Sequence, residues 1–283
     1  MVVLVIGMPS DVVIKHFAEE LRERMPEKPL LFINQQEIGG NIHFDNEAWH
    51  VHGMPPVRHE EVTGVWNRLL SDSIGSDSSD ERRDMHILIR YFMNEHYPKV
   101  LNKPIAGMTN FSKPYQLSLL SPRYIRKPNE FVTNDLRMLK GDSEHKFVEK
   151  SVSSVRSIVK LSRCRDKIGL EPIVIQEYLA GVNIRVHVVG EKYVATKIIA
   201  DKIDYRYATM RAMKRVYLPK KIATDCIDIT KSLGLSFSGI DLIYCKNRYW
   251  LLEVNTAPGY SFFRSNTKEV VGLLLQYWQC LRE

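Results

Sequence analysis

The stretch from Ser238 to Phe262, SGIDLIYCKNRYWLLEVNTAPGYSF, predicts two short strands joined by a tight turn. Three of its residues, Asp241, Glu253 and Asn255, are more polar than the apolar strands that hold them. Strand side chains alternate between faces, so Glu253 and Asn255 share one face. Magnesium binds a few carboxylate or amide oxygens and usually takes substrate phosphates as further ligands. The stretch therefore predicts either a magnesium site or an edge hairpin with a solvated polar face.

The length of the turn determines whether Asp241 joins that face. Direct pairing of Asp241 with Glu253 is centred on Asn247 and requires an odd-numbered turn such as 246–248. A two-residue turn in a regular hairpin would place the two carboxylates on opposite faces. The other face of the second strand is expected to carry its apolar residues: Trp250, Leu252 and Val254.

Composition narrows the class of protein. The chain has 283 residues, 44% of them hydrophobic and 26% charged, which is typical of a globular protein with more than one lobe. We expect no membrane span and no signal peptide, and scattered cysteines without a CxxC pair favour a reducing, cytoplasmic location. The net charge of +7 favours an anionic partner, but no nucleic-acid-binding module is evident, so nucleic acid is not predicted.

The chain predicts an α/β lobe followed by two further segments. An apolar run at 2–6, a helix capped by Ser10 or Asp11 and a second strand at 30–34 form a β-α-β opening. We expect an N-terminal α/β domain over 1–100, a central subdomain over 101–180 and a C-terminal subdomain over 181–283 that holds the metal site.

The middle of the chain alternates strands with polar loops. Strands are predicted at 147–150 and 173–178, and a hairpin at 183–200 turns at Gly190-Glu191-Lys192. The loop SVSSVRS at 151–157 is either a phosphate-binding loop or a solvent loop. A basic segment follows from Arg206 to Lys221, then a helix at 219–233 and a last helix at 267–281.

The order of these features resembles the ATP-grasp carboxylate–amine ligases over roughly residues 100–262. The resemblance rests on Lys150 after a strand, the strand ending QEY, the hairpin NIRVHVVGEKYVATKI and the pattern D-x11-E-x-N. The stretch IQEYLAGVNIRVHVVG resembles the RimK and glutathione-synthetase branch. TND at 133–135 and DYR at 204–206 resemble the graspetide synthetases, which cyclise microviridin-type peptides. The chain departs from those cyclases after Glu253, where NTAPGYSFF stands in place of the usual NPNGQW.

The resemblance implies a fold, two cofactors and a set of site residues. The fold class is α/β (α+β): an ATP-grasp fold with an N-terminal α/β pre-grasp lobe and two sheets that sandwich ATP. Asp241, Glu253 and Asn255 would hold Mg²⁺. The residues implied to bind ATP are Lys113, Lys150, Gln176, Glu177, Tyr178 and Asn183. The residues implied to be catalytic are Arg185, Arg206 and Lys197, of which the two arginines would steady a carboxylate and its acyl phosphate.

The implied function is an ATP-dependent ligase that activates a carboxylate as an acyl phosphate and joins it to an amine or hydroxyl. Three interpretations stay open: a peptide-modifying ligase, a small-molecule ligase of the glutathione-synthetase type, and a catalytically inactive nucleotide-binding or nucleic-acid-binding protein. The complete set Asp241, Glu253 and Asn255 argues against the third, and the DYR motif with its basic segment favours the first. The expected partner is an acidic peptide or small carboxylate. Members of the resembled family are commonly dimers, but the sequence leaves open whether this chain forms a homodimer.

Overall fold

The computed structural model describes residues 2–70, 80–139, 146–153, 159–161, 168–202, 205–209, 211–263 and 266–278. The chain divides into two compact units. The first comprises Met1–Gly107, Leu235–Phe237 and Gly259–Glu283, and the second comprises Met108–Gly234 and Ser238–Pro258. None of the helices in these described ranges is long and apolar enough to cross a membrane.

The first unit is built on a parallel sheet with the strand order β2-β1-β6-β7. A smaller antiparallel sheet has the order β3-β4-β5. The strands of this unit are β1 (Val2–Gly7), β2 (Leu30–Asn34), β3 (Ile42–Phe44), β4 (Ala48–Val51), β5 (Val57–Arg58), β6 (Val62–Asn67) and β7 (Val100–Leu101). The predicted β-α-β opening is confirmed, since β1 and β2 run parallel with a helix between them.

Four α-helices of the described residues belong to the first unit. They are α1 (Val12–Arg24), α2 (Asp80–Glu95), the short α3 (Pro104–Gly107) and α6 (Thr267–Tyr277). The carboxylate of Asp11 caps α1 by accepting a hydrogen bond from the Val13 amide at 2.8 Å. Phe17 of α1 packs edge-on against Trp66 and Trp278, with ring centroids 4.8 and 5.7 Å apart. A side chain at Gly64 would meet the Trp278 ring at 2.2 Å, so that ring packs directly on β6.

The second unit contains two sheets built mainly from antiparallel strand pairs. The first has the order β10-β9-β11-β8, and the second has the order β14-β13-β12-β15-β16. The strands are β8 (Glu130–Asp135), β9 (Phe147–Ser151), β10 (Val159–Leu161), β11 (Ile168–Glu177), β12 (Val182–Val189), β13 (Lys192–Ala200), β14 (Arg211–Val216), β15 (Phe237–Cys245) and β16 (Arg248–Asn255). Its helices are α4 (Lys113–Ser118) and α5 (Lys220–Ser232).

Helix α5 packs against β12 and β13 through the apolar stripe expected from its sequence. Ile222, Cys226 and Ile229 are all at most 3% exposed. Cys226 and Cys245 are buried free thiols, and burial raises the pKa of Cys226. An inert thiol of this kind fits a structural role.

The hairpin of β12 and β13 has a two-residue turn, since Val189 pairs with Lys192. The predicted three-residue turn at 190–192 is therefore wrong. Arg185 pairs with Thr196, and Lys197 pairs with the neighbouring Ile184. Cross-strand partners share a face of the sheet, so Arg185 and Lys197 lie on opposite faces.

Candidate active site

The carboxylates of Asp241 and Glu253 lie opposite each other on β15 and β16. The turn between these strands nevertheless has two residues, Lys246 and Asn247, with φ of 49° and 61°. The predicted odd-numbered turn is wrong. A β-bulge shifts the register between Asp241 and Leu242, and the extra residue in β16 is Leu252. The bulge restores the pairing of the two carboxylates that a regular two-residue hairpin would forbid.

The same bulge changes which residues of β16 face the core. Leu251 and Val254 are 0% and 1% exposed, although a regular strand would put residues three apart on opposite faces. Trp250 pairs with Ile243, which stands two residues from Asp241 on β15. Trp250 therefore lies on the face of the carboxylates, and the prediction that it shares a face with Val254 is wrong.

Lys113 brings a positive charge to Glu253. It is the first residue of α4, whose N-cap Ser112 accepts a hydrogen bond from the Tyr115 amide. The amide side chain of Gln116 in the same helix accepts a hydrogen bond from the Val254 backbone at 3.1 Å, which fixes α4 beside β16. The Lys113 Nζ then lies 3.3 Å from Glu253 Oε2.

Lys150 is a buried ammonium at the end of β9, only 7% exposed. Burial lowers its pKa, while the negative charges of Glu253, Glu130 and Asp241 counteract that effect and Lys113 adds to it. A buried cation is costly unless anions surround it. Lys150 and the carboxylates thus belong to one electrostatic cluster.

Arg185 forms the second ion pair of the cluster. Its Nη1 donates to Asp241 Oδ2 at 2.8 Å, and the two side chains are 6% and 16% exposed. Burial opposes the charge on Arg185, but Asp241 outweighs it and the pKa of Arg185 is raised. Tyr205 donates its hydroxyl to the other oxygen of Asp241 at 3.4 Å.

These charges keep Glu253 ionised. Burial alone would raise the pKa of its carboxyl group, but Lys113, Lys150 and Arg185 outweigh burial and lower it to about 2. Glu253 is therefore a carboxylate throughout the neutral range and is able to bind a hard cation there.

Gly239 makes room for the guanidinium of Arg185. A Cβ at this position would lie 2.4 Å from Arg185 Nη2, 2.6 Å from its Cζ and 2.7 Å from the Pro258 Cβ. Gly239 pairs with Asn255, so the missing side chain would otherwise occupy the face that bears the carboxylates. Sequence reasoning gave Gly239 no role.

We expect Gly239→Ala to lower the free energy of unfolding by about 1–3 kcal/mol, the usual cost of overpacking. Gly272→Ala in α6 is the comparison, because the nearest atom to its new Cβ, Arg24 Nη1, lies at 3.4 Å, and alanine is the better helix former. Urea denaturation of both variants measures the difference. Equal stability of the two would show that Arg185 can move aside at no cost.

Of the other residues predicted for the site, Asn255 and Asn183 lie on the sheet face of the cluster, whereas Lys197 does not. Asn255 shares the face of Asp241 and Glu253 through its pairing with Gly239, and its Oδ1 accepts the Ala257 amide at 2.9 Å. Asn183 is two residues from Arg185 on β12 and shares its face. Lys197 lies on the opposite face of that sheet and pairs with Lys214, so the structure does not bring it to the cluster.

Arg206 lies in a single 3₁₀ turn, Tyr205–Tyr207. The described part of the chain excludes its side chain, as well as Asp204 of the DYR motif and residues 154–157 of the SVSSVRS loop. The catalytic role of Arg206 stays a prediction.

The segment Gln176–Tyr178 ends β11. Gln176 is 1% exposed and donates its side-chain amide to Glu130 at 2.9 Å. The backbone amides of Glu177 and Tyr178 donate to the carbonyls of Asn129 and Lys146. These donors are already engaged, so an adenine ring at this segment would use other backbone groups.

Sequence reasoning missed three residues that the structure adds to the cluster: Gly239, Tyr205 and Glu130. Tyr205 is the central residue of the DYR motif, and Glu130 lies three residues before the TND motif, but neither had been given a role. Gly239 precedes Asp241 in the quoted hairpin, and a glycine inside a strand is a signal of close approach by another group.

The donor set fits magnesium. Among the described residues no group of three or more His, Cys, Asp or Glu side chains could hold a metal by itself. Two carboxylates and the Asn255 amide oxygen on one face leave coordination positions for phosphates and water, which is how Mg²⁺ binds at nucleotide sites. Asp241, Glu253 and Asn255 are the residues that would hold it.

Comparisons with known proteins identify a matching domain family and similar ligases. Residues 146–276 match the family model of the RimK-like ATP-grasp domain. The chain is 27% identical over 250 residues to a probable alpha-L-glutamate ligase 1 of Shewanella denitrificans, covering 85% of this chain and 75% of that protein.

Solved structures of two peptide-binding ligases illustrate the shared fold. The ATP-grasp ligase PsnB in complex with a minimal precursor has a TM-score of 0.78 at 22% identity, with 98% of each chain covered. Another PsnB structure also holds Mg and ADP. The macrocyclase MdnC of Microcystis aeruginosa, bound to the precursor peptide MdnA, has a TM-score of 0.75 at 17% identity, covering 98% of this chain and 100% of MdnC. The predicted fold class is confirmed: the chain shares the fold of these ATP-grasp ligases, and its residues 146–276 match the RimK-like ATP-grasp domain.

Proposed function

We propose that this protein is an ATP-dependent ligase that activates a carboxylate as an acyl phosphate and joins it to an amine or hydroxyl of a peptide substrate. The observation that carries the proposal is the cluster of Lys113, Lys150 and Arg185 around Asp241 and Glu253. Cations for phosphates and oxygen ligands for Mg²⁺ are the parts that phosphoryl transfer requires. The matched RimK-like domain and the PsnB complex with Mg and ADP support it.

Lys113 and Lys150 are the phosphate-binding residues in this proposal. Lys113 forms an ion pair with Glu253 but is not fully buried, since 14% of its side chain is exposed. It is able to exchange this carboxylate for a phosphate oxygen. Lys150 is held more deeply, and the anionic phosphates would offset the burial that lowers its pKa.

The reaction transfers the γ-phosphoryl group of ATP to a carboxylate oxygen and releases ADP. The nucleophile then attacks the acyl carbon, loses its proton and expels phosphate. Bound Mg²⁺ would neutralise the charge that develops on the phosphate oxygens. Arg185 fits the planar carboxylate and acyl phosphate because its guanidinium donates bidentate hydrogen bonds. We assign Arg206 to the same task, since it follows Tyr205, which contacts Asp241.

The peptide substrate is proposed to be acidic. PsnB and MdnC have been solved with precursor peptides. In this chain, the segment from Arg206 to Lys221 is strongly basic and includes the edge strand β14. Arg215 on that strand pairs with Thr196, the cross-strand partner of Arg185, so its position belongs to the sheet face of the cluster. A basic segment at this edge would attract an acidic peptide.

We expect Lys113→Met and Lys150→Met each to weaken ATP binding by about 1–3 kcal/mol, the scale of a lost charge-assisted contact. Isothermal calorimetry with ATP and Mg²⁺ measures the change. Lys246→Met removes an exposed lysine at the hairpin turn and serves as the control. Unchanged ATP affinity in both site variants would contradict the assignment.

Peptide-dependent ADP release tests the function itself. We expect an Asp- and Glu-rich peptide to stimulate ADP release, and the corresponding Asn and Gln peptide to fail. Mass spectrometry separates the products: loss of water means cyclisation, and a mass gain means amino-acid addition. Charge reversal at Arg211, Lys214 and Arg215 should raise KM for the peptide with less effect on kcat. Stimulation by free amino acids alone would indicate a small-molecule ligase.

A further inference from the structure

A basic groove of about 680 Å³ lies in the second unit, away from the carboxylates. Its walls are the segment Pro122–Arg126, the start of α5, and the tip of the β15–β16 hairpin. Four cationic side chains line it: Arg123, Arg126, Lys221 and Arg248.

Among the described residues, no carboxylate is paired with any of these four cations, and none lines the groove. Asp225 of α5 is buried behind the groove wall and accepts the backbone amides of Tyr124 and Ile125 instead. All four are exposed. The first turn of α5, which also borders the groove, has no acidic residue either. The repulsion among these charges would be relieved by an anion in the groove.

The groove is separate from the candidate active site. Tyr244 and Tyr249 pair across the hairpin and line the groove. Tyr244 stands three residues from Asp241 on the unbulged strand β15, so the two side chains point to opposite faces. A ligand in the groove would therefore meet the hairpin on the side away from Asp241 and Glu253.

The tyrosines of the groove are already engaged with other side chains. The rings of Tyr244 and Tyr249 lie 4.9 Å apart, and the Tyr244 hydroxyl donates to Asn247 at 2.6 Å. Lys221 lies over the ring of Tyr124 at 5.5 Å. Stacking of nucleic-acid bases uses open aromatic faces, of which Tyr124 offers one, whereas the three exposed guanidinium groups are suited to bidentate binding of carboxylates. The groove thus favours carboxylates over bases.

We propose that this groove is a docking site for a carboxylate-rich peptide segment, distinct from the site that activates a carboxylate. Three of its four cations are arginines, whose planar forks bind carboxylates in bidentate fashion. Its volume suits a short segment, within the usual range of ligand pockets. The inference does not depend on the ligase chemistry, because it concerns binding alone.

Fluorescence anisotropy with labelled hexaglutamate tests the proposal on the full chain. Arg123→Glu/Arg248→Glu should weaken hexaglutamate binding at least about tenfold, because two attractive contacts become repulsive. Lys15→Glu/Arg22→Glu changes the net charge equally on the exposed face of α1 and should have far less effect. Glu253→Gln should leave binding to the groove unchanged, and binding should weaken as salt rises.

A second double variant tests whether the weaker binding of the first arises from misfolding. Arg126→Gln/Lys221→Gln removes the other two charges without reversing them and should also weaken binding. The proposal is overturned if hexaglutamate fails to bind the wild-type protein, or binds the groove variants as it binds the wild type. It is also overturned if single-stranded oligo-dT binds through the groove more tightly than hexaglutamate. Loss of ADP release in any variant concerns the ligase proposal and leaves this result unaffected.

Discussion

Glu253→Gln is expected to lower substrate-dependent ADP formation by about 10²–10³-fold, the scale found when one electrostatic stabiliser of a transition state is removed. The amide keeps the size of the side chain but loses the charge that would hold Mg²⁺ and that pairs with Lys113. Because the pKa of Glu253 is lowered to about 2, the wild-type group stays charged at every pH at which the assay is run.

The matched control for this variant is Glu191→Gln. Glu191 also forms an ion pair with a lysine, Lys231, at 2.6 Å, but both side chains are largely exposed. Glu191→Gln should retain full activity, and circular dichroism with thermal melting should show that both variants fold. A folded Glu253→Gln protein with full activity would remove Glu253 from the metal site.

Asp241→Leu is expected to lower the free energy of unfolding by about 3–5 kcal/mol, because it leaves the guanidinium of Arg185 buried without its partner. The two side chains are only 6% and 16% exposed, so water compensates little of this loss. Arg185→Met/Asp241→Leu should recover much of the stability, since a buried ion pair is often replaceable by apolar residues. Both proteins should be inactive in ADP release.

Urea denaturation of the wild type, Arg185→Met, Asp241→Leu and the double variant gives the coupling energy of the pair. Glu60→Ala breaks the ion pair with Arg58, whose side chains are 65% and 75% exposed, and should hardly change stability. Coupling near zero between Arg185 and Asp241 would mean that the pair contributes no more than a surface contact.

The sequence predicted the strands of the site better than their pairing. Alternation along the chain places Glu253 and Asn255 on one face, and the β-α-β opening follows from apolar runs and a cap. Turn length could not be read from Lys246-Asn247 or Gly190-Glu191, since neither is the Asn-Gly or Asp-Gly pair that marks a two-residue turn. Both turns proved to have two residues.

In both hairpins, a shift of one residue in register changes which side chains pair and share a face of the sheet. A three-residue turn at 190–192 would have paired Arg185 with Lys197 on one face, whereas the observed turn pairs Arg185 with Thr196. In the other hairpin, the same difference is cancelled by the bulge at Leu252. A bulge depends on packing around the strand and leaves no mark in local sequence, so the pairing of Asp241 with Glu253 was predicted for a wrong reason.

The contacts that assemble the site join distant parts of the chain. Arg185 and Asp241 are 56 residues apart, and Lys113 and Glu253 come from a helix and a strand. The resemblance to a family grouped these residues by role. Only the folded chain shows that Gly239 gives Arg185 its space.

The ion pairs of the site also determine the electrostatic field that the site exerts on a distant nucleotide. Lys113, Lys150 and Arg185 are matched by Asp241, Glu253 and Glu130, three charges of each sign in one neighbourhood. Opposite charges this close cancel beyond about 8 Å at physiological salt, the distance over which ions screen a field. In the proposed function, this cluster would exert little long-range attraction on ATP, and the rate of nucleotide binding should respond only weakly to ionic strength. We expect affinity to arise at short range, where phosphates and a metal would replace the partners that the cations and carboxylates hold for each other.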